Sequence, residues 1–92
     1  MIPTGKERRL LKALADVDDG EGKVNLSRKR EDKGDYYEVR GWKIVPGGSA
    51  EQEISFTIGA RDVEELVEKR FIQLDTQGEA SITSAGRKLV NR

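Results

Sequence analysis

The spacing of apolar residues predicts one small α+β domain with elements in the order α-β-β-β-α-β-β-α. Two stripes at helical spacing, Leu10-Leu11-Leu14 and Val63-Leu66-Val67, flank runs that alternate with a period of two. A further pair of short alternating runs precedes a last helical stretch carrying Leu89 and Val90. Ninety-two residues suffice for one core only, so residues 1–92 are read as a single domain.

Each element has its own local reason. Thr4-Gly5-Lys6-Glu7 has the form of a capping box, with Thr4 at the N-cap and Glu7 reaching back to it. Leu10, Leu11, Leu14 and Val17 then form one apolar stripe, and the acidic, glycine-containing run Asp16 to Gly22 ends the helix. Val24 and Leu26 alternate with polar neighbours in a strand from Lys23 to Arg30, and Glu31 to Asp35 is a charged loop. Tyr36 to Val45 is the richest β-forming run of the chain. Its alternation changes phase at Gly41, so a bulge at Arg40-Gly41 is expected to bring Tyr37, Val39, Trp42 and Ile44 to one face. Trp42 is expected in the core, because a small domain rarely spares its largest apolar side chain.

Pro46-Gly47-Gly48-Ser49 makes a turn, and Ile54, Phe56 and Ile58 mark the buried face of a third strand. These strands form a β-rich insertion covering about residues 20–60. Asp62 is placed to cap the next helix, with Glu65 at N3 and Val63, Leu66 and Val67 inward. Two short strands, Phe71 to Asp75 and Glu79 to Thr83, join around Gln77-Gly78. Thr83 or Ser84 caps the final helix.

Composition narrows the chemistry. Cysteine and histidine are both missing, which removes thiolate chemistry, the usual general base near neutral pH and the commonest metal ligand. Asp16, Asp18, Asp19 and Glu21 lack the spacing of a calcium loop, and Gly20-Glu21-Gly22-Lys23 lacks that of a phosphate loop. No catalytic residue, cofactor, metal or small-molecule substrate is expected. No apolar run approaches the roughly 20 residues that span a bilayer, so a soluble cytoplasmic protein is expected. Seventeen basic and seventeen acidic residues cancel, whereas non-specific nucleic-acid binders are usually basic.

The carboxyl-terminal part of the chain carries a family resemblance. Val63-Glu64-Glu65-Leu66-Val67-Glu68-Lys69-Arg70-Phe71-Ile72 resembles the end of a winged-helix third helix running into its first wing strand. Ile82-Thr83-Ser84-Ala85-Gly86-Arg87-Lys88-Leu89-Val90 is similar to the segment after the wing in many bacterial and archaeal regulators. The resemblance covers roughly half the chain and implies a winged-helix-like architecture with a nucleic-acid partner. The place of the helix-turn-helix front is taken by a β-meander. The exposed side of the would-be recognition helix offers Asp62, Glu64, Glu65 and Glu68, which phosphates repel.

Two functions follow as expectations. The first is a nucleic-acid-binding, transcription-regulatory module, placed slightly ahead by the resemblance. Its phosphate contacts would be Arg8, Arg9 and Lys12 on the first helix, Arg28, Lys29, Arg30 and Lys33 around the first β-loop, and Arg87 and Lys88 on the last helix. Tyr36, Tyr37 and Trp42 lie near enough in sequence to stack on bases. The bland alternatives are a solvated loop for Arg28–Lys33, and complementation of a helix dipole for Arg87, Lys88 and Arg92. The second function is a protein-interaction module, self-associating or not, that uses the meander edge or its aromatics.

Overall fold

The computed structural model describes residues 1–90. Arg92, grouped above with Arg87 and Lys88, lies outside the described residues. The elements follow the expected order: α1 (Gly5–Asp19), β1 (Glu21–Lys29), β2 (Tyr36–Ile44), β3 (Gln52–Gly59), α2 (Ala60–Glu68), β4 (Ile72–Leu74), β5 (Ala80–Ile82) and α3 (Ser84–Val90).

The start of α1 is the capping box that its sequence encodes. The Thr4 amide donates to Glu7 Oε1 at 2.8 Å, and the Glu7 amide donates to Thr4 Oγ1 at 3.2 Å. Glu7 is only 2% exposed, and its Oε2 has no hydrogen-bond partner. The helix runs to Asp19, through the acidic residues expected to end it, and stops at Gly20.

β1, β2 and β3 form an antiparallel meander in sequence order. Leu26, Val39 and Phe56 lie side by side across it, as do Val24, Gly41 and Ile54. The register between β1 and β2 runs unbroken from Glu21–Ile44 to Lys29–Tyr36. The expected bulge at Arg40-Gly41 is therefore absent. Gly41 takes an inward position against β1, where a side chain would strike the Lys23 carbonyl oxygen. Parity then sends Trp42 and Ile44 to the outer face. Trp42, expected in the core, sits there 36% exposed between Lys23 and Glu53.

Two details of α2 also differ from expectation. Gly59 precedes the helix and supplies no side-chain cap, so Asp62 falls within the first turn, where its carboxylate meets the positive end of the helix. Val63 and Leu66 are buried, but Val67 is 37% exposed.

β4 and β5 form a two-stranded ribbon. The Asp75 carboxylate shapes its turn by accepting from the amides of Gln77 and Glu79. The Gly78 carbonyl accepts from the Leu26 amide at 2.8 Å, and Asn25 bridges to Glu79. The ribbon thus occupies the middle of the outer edge of β1. Among the described residues, nothing pairs with the outer edge of β3.

Thr83 joins the ribbon to α3. Its hydroxyl donates to the Arg70 carbonyl at 2.6 Å and accepts from the Gly86 amide at 3.1 Å, so Thr83, rather than Ser84, is the cap. Gly86 is buried against the main chain that leads from α2 into β4, and a side chain there would collide with the Phe71 carbonyl oxygen. The core gathers Leu10, Leu11 and Leu14 with Val39 and Ile58 of the sheet, Leu66, Ile72 and Leu89.

Gly86→Ala should destabilise the domain by about 1–3 kcal/mol in urea unfolding, because the added methyl overpacks a backbone contact. Phe56→Ala should cost about 2 kcal/mol for its partly covered ring, whereas Trp42→Ser should cost under about 1 kcal/mol. Trp42 fluorescence should also show the red-shifted emission of a water-contacting indole.

Candidate interaction surfaces

The basic residues singled out from sequence fall in three places. Arg28 ends β1 on the inward parity and is held on three sides. Its guanidinium donates to Asp35 at 2.9 Å and to Glu64 of α2 at 3.1 Å, and lies 5.7 Å from the Tyr37 ring centre. The Arg28 hydrogen bond holds the Asp35 carboxyl below the usual aspartate range, and these carboxylates push the guanidinium pKa up. Lys29 lies 3.6 Å from Glu38 on the outer face of the sheet. Arg30 and Lys33 are exposed in the loop that follows and make no ion pair among the described residues.

Arg87 of α3 is committed as well. It pairs with both Asp18, at 2.7 Å, and Asp19, the last residues of α1. Carboxylates at the carboxyl end of a helix oppose its dipole, so a cation brought from elsewhere relieves an unfavourable field. Lys43 does the same for Asp16 at 2.7 Å, with both side chains largely covered. Lys88, next to Arg87, is exposed and engaged in contacts of its own.

The third group, Arg8, Arg9 and Lys12, lies on the exposed face of α1. Arg9 places its guanidinium 4.3 Å above the ring centre of Phe56 on β3, within cation–π range. Lys12 follows one turn later on the same side. Between α1 and β3 runs a cleft of about 310 Å³, lined by Arg9, Lys12, Lys43, Glu53, Ile54 and Phe56 among others. Its floor is half-apolar sheet, its helix wall is basic, and its far side is the unpaired main chain of β3.

The aromatics do not converge. Tyr37 faces inward with Arg28, while Tyr36 and Trp42 share the outer face of the sheet. The cleft is not legible in the sequence, because Lys43, Ile54 and Phe56 meet α1 only once the meander folds over it. Two signals pointed part of the way: the basic face of α1, and a third strand whose edge carries no lysine or proline.

No family model matches the chain, and neither a curated protein nor a solved structure does. No helix among the described residues is long and apolar enough to cross a membrane.

The Asp35–Arg28 pair makes a pH prediction. A carboxyl whose folded pKa is lowered contributes stability that is present above its unfolded value and lost as pH falls through its folded value. Asp35→Asn should therefore be less stable than the parent at neutral pH. The gap should close as pH drops below the ordinary aspartate range, as measured by urea unfolding at stepped pH.

Proposed function

We propose that this domain is a non-enzymatic protein-interaction module that pairs the open edge of β3 with another polypeptide. The observation that carries this reading is the contrast between two kinds of surface. Arg28 and Arg87, central to the nucleic-acid expectation, spend their charge on carboxylates of the same chain. The outer edge of β3, by comparison, has no strand paired with it among the described residues and lies beside a cleft. Unpaired strand edges recruit extended segments through main-chain hydrogen bonds, with neighbouring pockets providing selectivity.

Nucleic-acid binding, with the winged-helix likeness behind it, is the second reading. Arg8, Arg9, Lys12, Arg30 and Lys33 favour it, since they are exposed and make no ion pair among the described residues. They are split between α1 and the loop after β1, and α2 presents Glu64, Glu65 and Glu68, which phosphates repel. A small α+β scaffold serves many unrelated activities, so its surfaces, rather than its architecture, separate the two readings.

In an amide-detected NMR titration at low salt (about 50 mM), a DNA duplex should produce no saturable shifts near Arg28–Lys33 or Arg87–Lys88. A panel of capped β-forming peptides, acidic, neutral and basic, should include at least one that shifts Gln52–Gly59. Saturable DNA shifts that vanish steeply with salt, with no peptide touching β3, would replace this reading with the second one.

A further inference from the structure

Resting on the strand-pairing reading, we infer that the cleft beside β3 takes an extended acidic peptide as an added strand, with its carboxylates turned toward α1. The sheet supplies the docking main chain, since β3 is eight residues long and open along its outer edge. A strand laid there continues the pleat, so every second side chain points toward the α1 side of the sheet. On that side stand Arg9 and Lys12, neither of them in an ion pair among the described residues. Arg9 is steadied by Phe56 beneath it, which keeps its charge over the cleft instead of free in solvent.

The net charge of the cleft decides the chemistry of the occupant. Lys43 is cancelled by Asp16, which leaves Arg9 and Lys12 on the α1 side, while Glu53 at the rim has the outward parity of Trp42. An occupant with carboxylates at alternate positions meets both cations, whereas one with lysines there is repelled by them.

The same balance speaks against a second copy of this chain. In a two-fold β3–β3 pairing that continues the apolar inner face, both α1 helices lie on one side of the joined sheet. The basic faces of both helices would then share that side of the joined sheet, and like charges brought together oppose association. A separate acidic strand brings the opposite charge instead.

The probe is a capped peptide of alternating glutamate and valine, as long as the eight residues of β3. It is compared with versions carrying glutamine or lysine in place of glutamate. The glutamate peptide should shift the amides of Gln52–Gly59 together with those of Arg9 and Lys12. It should bind about tenfold or more tightly than the glutamine version and weaken as salt screens the pair. Lys12→Glu lies on an exposed helix face and should fold normally, as circular dichroism will check, yet lose about tenfold or more in affinity. Arg9→Gln should show a smaller loss in the same direction.

Equal binding of the glutamate and glutamine peptides, or undiminished binding by Lys12→Glu, would overturn the acidic-strand inference and leave strand pairing standing. Preference for the lysine peptide would do the same, as would a dimer that forms through β3 without peptide. DNA-dependent shifts with β3 untouched by every peptide would overturn both.

Discussion

The apolar face of α1 is the surface on which the rest of the molecule is assembled. Leu10, Leu11 and Leu14 are almost wholly buried, and the helix packs against β1, β2, β3, β5, α2 and α3. A chain of this length cannot support two cores. Sheet and carboxyl-terminal unit must therefore share one helix. That sharing sets where the ends of α1 go. Its start is tied by Thr4 and the buried Glu7, while its end carries three carboxylates in an unfavourable dipole field. Lys43 from the sheet and Arg87 from α3 meet those carboxylates, so each unit that covers the apolar face also holds the acidic end.

Local signals in the sequence carried most of the element order. The capping box at Thr4, the alternation through Ile54, Phe56 and Ile58, and the Thr83 cap each depend on residues within a few positions of one another. The run Ser84-Ala85-Gly86 has a packing reason too: a small residue lets α3 lie directly against the Phe71 carbonyl. For Trp42, size argues for the core and parity for the outer face, and parity prevails. The phase change at Gly41 is real, but the sheet keeps its register and leaves the indole outside. Within a strand, an uninterrupted hydrogen-bond ladder outweighed the burial of one aromatic ring.

Charge was legible in amount and not in placement. Arg28 meets Glu64 across 36 positions of sequence, and Arg87 meets Asp18 across 69. No spacing rule reaches that far. The acidic tail of α1 was nevertheless a clue, since a helix ending in Asp16, Asp18 and Asp19 calls for outside cations. The candidate cleft was hidden for the same reason. Its helix wall and strand wall are more than thirty residues apart, and each looks ordinary alone.

The hydrogen bond from Leu26 to Gly78 and the bridge from Asn25 to Glu79 give the sheet a blocked side and an open side. A sheet open on both sides is a template for indefinite stacking, the route to fibrils. With β1 obstructed at its midpoint, the open edge of β3 in one copy cannot run along the whole of β1 in another. The ribbon thus bars head-to-tail stacking of this sheet into an open-ended array.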